Sequence, residues 1–222
     1  KETINALRGY LTRSYGADEQ AVLNALSKMN PSRLDLNPHF FEYGGAYLYP
    51  LGLFLKAGSA MGLLTLRSDM TYYFLHPSEM GAIYAAGRIF GALGGIAATI
   101  AFYFLCAAFF KNRSLSLALT LVFGACPAIA IWSHYLKPYS FGLFWVVLTF
   151  LAAYRFVETH NIRQLYGGAV FAGLAFGTLL SYGYAFWFIV LAILFCKKKS
   201  LPARHMFGIL LSFTCVFLAS NP

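Results

Sequence analysis

The chain of 222 residues is dominated by apolar side chains: 59% of its residues are hydrophobic and only 11% are charged. Its mean hydropathy of +0.62 excludes a water-soluble domain, because too few ionisable groups remain to cover the surface of one. The formal charge of +9 does not indicate nucleic-acid binding, since no basic stripe with interleaved aromatic residues occurs outside the apolar runs. The composition predicts an all-α protein that crosses a membrane several times.

The first eighty residues hold seven of the eight acidic side chains. Within them, residues 17–29 have the pattern of a short amphipathic helix, with Val22 and Ala25 on its apolar face. Asp18 and Glu19 lie in its first turn, where the helix dipole favours negative charge. Two interpretations of this pair remain open: helix capping without chemistry, or two carboxylates beside a cavity at the membrane boundary.

The next apolar stretch covers residues 44–66 and is interrupted by Pro50 and Lys56. It predicts either a spanning helix or, as we prefer, an interfacial or re-entrant helix. In the second interpretation tyrosines anchor the helix in the headgroup layer, namely Tyr43, Tyr47 and Tyr49. Residues 1–81 would then form one extracytoplasmic first loop with juxtamembrane helices, and residues 82–222 a transmembrane helical bundle.

Six apolar runs follow, which we interpret as about six transmembrane helices. They cover residues 82–110, 115–133, 139–157, 165–180, 184–196 and 206–220. Every second connection between them is basic, and the intervening connections carry only Lys137. Because Lys and Arg mark cytoplasmic loops, the weakly charged connections and the acidic first segment are expected outside the cytoplasm.

The chain is also expected to be an interior piece of one larger membrane domain, truncated at both ends. It opens without an initiator Met, and it stops directly after an apolar run.

Several motifs resemble those of the membrane-embedded type C glycosyltransferases. In chain order they are the adjacent acids Asp18 and Glu19, DLNPHFFEYGGAYLYPLG at residues 35–52, IYAAGRIFGALGG at 83–95, HYLKPYSFGLFW at 134–145 and GGAVFAGLAFGTLLSYGY at 167–184. The resemblance runs over essentially the whole chain. Within the superfamily it is strongest to the bacterial relatives of protein O-mannosyltransferases and aminoarabinose transferases.

This resemblance implies an enzyme of the cell inner membrane. The enzyme would transfer a sugar from a polyprenyl-phosphate donor to a protein, lipid or glycan acceptor on the extracytoplasmic side. It implies that Asp18 is the general base that takes the acceptor's proton, and that Glu19 is a supporting acid or an acceptor contact.

The negative charge that grows on the departing lipid phosphate requires a cation at the outer edge of the membrane. Arg88 and Lys137 are the two basic residues with a suitable predicted position, as a forked donor and a point charge. The alternatives are an interfacial anchor for Lys137 and an internal ion pair for Arg88, with Glu79 or Glu42.

Three further residues are candidates for substrate binding: His39, Glu42 and Tyr43. No cluster of His, Cys and carboxylate residues has the spacing of a tight metal site, so we expect no cofactor and do not favour a divalent cation. The main alternative function is a secondary transporter or flippase, in which the Gly-interrupted helices of residues 167–196 would be the broken pair. A structural subunit without a site is a third.

Overall fold

The structure is a computed structural model that describes residues 12, 14, 16–33, 35–40, 42–196 and 201–221. Within these residues the chain forms ten α-helices and two short 3-10 helices, and no β-strand. The α-helices are α1 (Ala17–Lys28), α2 (Gly45–Ala60), α3 (Met70–Leu75), α4 (Pro77–Phe110), α5 (Arg113–Gly124), α6 (Pro127–Ser133), α7 (Tyr139–Thr159), α8 (Ile162–Thr178), α9 (Ala185–Phe195) and α10 (Ala203–Ser220). The 3-10 helices are Pro31–Arg33 and Leu180–Tyr184.

Three of the described helices, α4, α7 and α10, are long and apolar enough to cross a membrane. A fourth span results if α5 and α6, which are bent by 58° relative to each other, are counted as one. The all-α class is therefore confirmed for the described residues, with three to four helices that could cross a membrane, and the predicted number of six spans is not confirmed. Helices α8 and α9 have only 17 and 11 residues, fewer than the roughly 20 that a spanning helix needs.

The run predicted at residues 115–133 is divided by a proline. Helix α5 ends at Gly124, and Cys126 adopts an extended conformation before Pro127 begins α6. Proline cannot continue the hydrogen-bond ladder of the preceding helix, but it suits the first position of a new one. The bend turns α6 against α4.

Within the stretch predicted at residues 44–66, Gly45–Ala60 form α2, and seven of its 16 residues are buried. Helix α2 packs against α1, α4 and α8. Tyr43 and Tyr47, which we expected in the headgroup layer, are instead only 5% and 0% exposed. They lie in a hydrophobic core that also contains Leu48, Tyr84 and Leu136. For these two tyrosines the expectation was wrong, because their rings fill space between helices.

Glycines allow the start of α2 to contact the ends of two other helices. The Gly44 N–H donates to the Thr178 carbonyl at 3.1 Å, and the Gly45 N–H donates to the side chain of Asn221 at 3.3 Å. A Cβ added at Gly44 would lie 1.9 Å from the Gly177 carbonyl oxygen. The start of α2 therefore lies at the same end of the bundle as the C-termini of α8 and α10.

The bundle has two ends, which we name by their charged groups. The carboxylate end contains the starts of α1, α2 and α7. The 3-10 helix Leu180–Tyr184 also lies at this end, because the Tyr182 hydroxyl donates to the Tyr139 carbonyl at 2.9 Å. At the basic end, Lys111 pairs with Glu158 at 3.1 Å. Two of the connections that the charge pattern assigns to the cytoplasmic side, those after α4 and after α7, thus meet at this end. Lys197, Lys198 and Lys199 lie outside the described residues.

Candidate functional site

Two glycines on α4 hold the α6–α7 connection close to this helix. Gly87 and Gly91 are four residues apart and so lie on one helix face. A Cβ added at Gly87 would lie 2.1 Å from the Leu136 side chain, and one at Gly91 would lie 2.8 Å from the Tyr135 carbonyl oxygen. The missing side chains therefore let the connection cross α4 in direct contact. This contact places Lys137 at the carboxylate end.

Glu19 joins three separate segments through its carboxylate, which is fully buried. Arg88 of α4 donates to it with two nitrogens, Nε to Oε1 at 3.0 Å and Nη2 to Oε2 at 2.8 Å. The backbone N–H of Leu136 donates to Oε1 at 2.9 Å, and the Ser14 hydroxyl donates to Oε2. We call this arrangement the Glu19–Arg88 clamp. It ties the start of α1 to α4 and to the α6–α7 connection.

Hydrogen bonds decide the ionisation of Glu19. Burial by itself raises the pKa of this carboxyl, but the donors Arg88, Leu136 and Ser14 outweigh it and place the pKa below its ordinary value. Glu19 is therefore a carboxylate, as the paired guanidinium requires.

The clamp bears on two alternatives considered from the sequence. No side chain caps the N-terminus of α1, and Glu19 bonds with distant segments, so capping alone does not describe this residue. Arg88 does form an internal ion pair, but its partner is Glu19 rather than Glu79 or Glu42. The sequence could not indicate that partner, because 69 positions separate the two residues.

Asp18, next in the chain to Glu19, has a different environment. Its Oδ2 lies 2.6 Å from Lys137 Nζ, and its side chain is 51% exposed while that of Lys137 is 21% exposed. Partial burial lowers the pKa of Lys137, but the hydrogen bond to Asp18 outweighs this and raises it. The ammonium also lies 5.6 Å and 5.8 Å from the ring centres of Tyr135 and Tyr139. Asp18 is thus a fixed carboxylate that remains accessible.

The three predicted substrate-binding residues do not share one environment. Tyr43 is buried next to the acidic pair: burial first, then the nearby Tyr139 and Asp18, raise its pKa. His39 and Glu42 are exposed, and their side chains make no hydrogen bond or ion pair with any described residue. The His39 backbone has a positive φ of 48°, and its N–H donates to the Asn37 side chain at 2.8 Å.

An apolar groove begins at Arg88. It has a volume of about 670 Å³, and besides Arg88 its lining comprises Ile89, Ala92, Ala130, Ile131, Ser133, His134 and Tyr135. A second hollow of about 380 Å³ shares Ala92, Ala130 and Ser133 with it and continues along α4 to Ile100, where Gly124 at the end of α5 also lines it. The bent pair α5 and α6 forms the opposite wall. A cationic head and a long apolar wall suit an amphiphile with an anionic group.

The sequence reasoning missed several members of this site. Ser14 and the Leu136 N–H complete the clamp, Tyr139 adjoins Tyr43 and Lys137, and His134 lines the groove. His134 and Tyr139 belong to a motif that was noted only as a resemblance. The four-residue glycine spacing on α4 was the available signal that this motif crosses α4. No group of three metal-binding side chains occurs among the described residues.

Comparison with known proteins identifies no relative: no family model, no curated protein and no solved structure matches the chain.

Proposed function

We propose that the carboxylate end is the active site of a membrane glycosyltransferase that uses a polyprenyl-phosphate-linked sugar. The observation that carries the proposal is the proximity of three groups. An accessible carboxylate, Asp18, lies 2.6 Å from Lys137, and the neighbouring Glu19 holds Arg88 at the head of an apolar groove. Such a transfer requires a base, a cation and a groove for the lipid.

In the proposed reaction, a hydroxyl of the acceptor attacks the anomeric carbon of the donor sugar. The acceptor O–H bond breaks as the new C–O bond forms, and the proton passes to the Asp18 carboxylate. The bond between the anomeric carbon and the phosphate oxygen breaks with its electron pair, and polyprenyl phosphate departs with one more negative charge. Lys137 and Arg88 stabilise that charge.

Glu19 has a positioning role in this scheme. Its carboxylate is buried and is occupied by Arg88, Ser14 and the Leu136 N–H, so it does not reach an acceptor. It orients Arg88 through Nε and Nη2, and Nη1 of Arg88 makes no hydrogen bond with any described residue. This nitrogen remains as a donor for a phosphate oxygen. Tyr43 is buried near Asp18, while His39 and Glu42 are candidates for contacts with an acceptor that approaches from solvent.

We further propose that the bundle crosses the inner membrane six times, with the carboxylate end outside the cytoplasm. The second 3-10 helix and α9 form a continuous apolar segment, Leu180–Phe195. This segment is about 26 Å long, and α8 is of similar length. Each of these segments connects the carboxylate end with the basic end. The basic residues at the other end then have the cytoplasmic position that Lys and Arg favour.

The test is sugar transfer by membranes that contain the full-length protein, supplied with a panel of polyprenyl-phosphate sugars and labelled acceptors. We expect transfer from at least one donor, and a loss of about 10²- to 10⁴-fold in Asp18→Asn, the range for a general base. Glu158→Gln, which alters the ion pair at the basic end, is the matched control and should retain activity. Transfer that survives in Asp18→Asn would exclude Asp18 as the base.

One observation favours a second candidate, a flippase for a lipid phosphate. The 58° break between α5 and α6 borders the second hollow, which shares three lining residues with the groove, and discontinuous helices are common at transport sites. A flippase would move a fluorescent polyprenyl phosphate between the leaflets of proteoliposomes without any acceptor, and its rate would not depend on Asp18.

A further inference from the structure

The groove contains a histidine with one fixed and one free ring nitrogen. His134 lies directly after α6, is exposed, and has its Nδ1 2.6 Å from the Ala130 carbonyl oxygen. A carbonyl oxygen only accepts hydrogen bonds, so Nδ1 carries the proton. The other nitrogen, Nε2, makes no hydrogen bond within the described part of the chain.

Arg88 shows the same division between used and unused nitrogens. Its Nε and Nη2 are bonded to Glu19 and Ser14, while its side chain remains 41% exposed. Arg88 and His134 come from α4 and from the end of α6 and line the same groove. The remaining lining is mainly apolar, with Ile89, Ala92 and Ile131 among it.

We propose that His134 is a phosphate-binding residue that acts with Arg88 and holds the head of the lipid donor only when its imidazole is protonated. The inference rests on the proposed function for the identity of the lipid, a polyprenyl phosphodiester. The protonation requirement follows from the geometry. With Nδ1 committed to Ala130, a neutral ring offers the groove an acceptor at Nε2, which a phosphate oxygen does not favour. An imidazolium offers a charged donor there.

Few charged or titratable groups lie close to His134. Within the groove lining the other titratable groups are Arg88 from α4 and Tyr135 from the α6–α7 connection. Glu19 is paired with the Arg88 guanidinium, and Lys137 Nζ lies 5.6 Å from the centre of the Tyr135 ring. Histidine is the side chain that ordinarily changes charge between pH 5 and 8, so lipid binding should weaken as the pH rises through this range.

The test uses the full-length protein in detergent and a farnesyl glucosyl phosphodiester, whose single charge is constant from pH 5.5 to 8. We expect the wild type to bind it about tenfold more tightly at pH 5.5, since a hydrogen bond between charged groups contributes about a factor of ten. Two variants separate the ring nitrogens. His134→Gln places an amide near Nε2 and should bind equally at both pH values. His134→Asn places one near Nδ1, keeps the bond to Ala130, and should bind weakly at both.

Control ligands define what is recognised. Farnesol, which lacks the phosphate, should bind without dependence on pH, and dimethyl phosphate, which lacks the lipid, should not bind measurably. Thermal unfolding of each variant checks that the fold is intact.

Identical pH dependence in the wild type and both variants would overturn the role of His134, and so would equal weakening in Asn and Gln variants that remain folded. Probe binding as expected without sugar transfer from any donor would contradict the proposed function and leave this inference intact. Sugar transfer together with probe binding that does not depend on pH would contradict this inference and leave the proposed function intact.

Discussion

The two ends of the bundle each carry an ion pair between a lysine and a carboxylate, with different surroundings. At the carboxylate end, Lys137 lies 2.6 Å from Asp18 and is 21% exposed. At the basic end, Lys111 lies 3.1 Å from Glu158 and is 74% exposed. The first pair adjoins the buried Glu19–Arg88 clamp, whereas the second has solvent around its lysine.

The difference shows which charges the fold holds in place. An exposed pair gains little, because water screens the attraction and both side chains lose freedom. The pair at the carboxylate end is carried by backbone segments that the clamp and the α4 glycines already fix. The fold itself sets the geometry of this pair, which is the condition that the proposed catalysis requires.

The largest effect is expected from removing the clamp. Glu19→Ala leaves Arg88 without its partner and leaves a cavity in place of the side chain. Removal of one member of a buried ion pair lowers the free energy of unfolding by about 3–5 kcal/mol. Because Arg88 is 41% exposed, we expect about 3 kcal/mol, measured as the free energy of unfolding in detergent. Glu158→Ala, at the basic end, should give no measurable change. Equal effects of the two substitutions would remove the distinction between the two ends.

The same clamp predicts an acid limit of stability. The pKa of Glu19 is lower in the folded protein than its ordinary value of about 4.3. Its contribution is therefore complete above that value and is lost as the pH falls through the lower folded value. At pH values below about 4, the melting temperature of the wild type should decrease. The melting temperature of Glu19→Gln should depend less on pH in that range. Parallel profiles would contradict the assignment.

The glycine contact on α4 offers a matched pair of substitutions. Gly91→Ala would place a Cβ 2.8 Å from the Tyr135 carbonyl, whereas one at Gly81 in the same helix meets nothing within 4 Å. We expect Gly91→Ala to cost about 2 kcal/mol through forced displacement, and to reduce transfer because Lys137 moves. Gly81→Ala should stabilise by about 0.5 kcal/mol. Equal stability of the two variants would mean that the connection does not press on α4.

Two buried tyrosines give the smallest predicted effect. Tyr182 donates to the Tyr139 carbonyl at 2.9 Å, so Tyr182→Phe should cost about 1 kcal/mol. The hydroxyl of Tyr47 is buried without a partner among the described residues, so Tyr47→Phe should be neutral or slightly stabilising. Unfolding curves of the two variants provide the comparison, and a larger loss in Tyr47→Phe would contradict it.

The sequence was sufficient for the class of fold and for most helix positions, because long apolar runs determine both. It also placed Asp18 and Lys137 on one side, since the alternation of basic connections carries that information. It failed where contacts depend on three dimensions. The interior position of Tyr43 and Tyr47 follows from glycine contacts with α8 and α10, and a tyrosine-rich helix start has the same composition whether it faces lipid or protein.

The two cations show the same limit. Arg88 and Lys137 were selected by topology as groups for a lipid phosphate, and the structure pairs each with one of two adjacent acids. Chain order alone does not indicate which acid faces which cation, because the answer depends on the rotation of α1. That rotation makes Glu19 a buried support and leaves Asp18 accessible.

The most direct test is photo-crosslinking with a polyprenyl-phosphate sugar that carries a diazirine in the isoprene unit next to the phosphate. After irradiation of membranes that contain the full-length protein, peptide mapping should locate the label in α4 near Ile89 and Ala92 and in α6 near Ile131. Unlabelled donor should compete for this labelling, and removal of the Arg88 side chain should reduce it. Label spread over the exposed faces of α10, or unaffected by competing donor, would contradict a donor site at the carboxylate end.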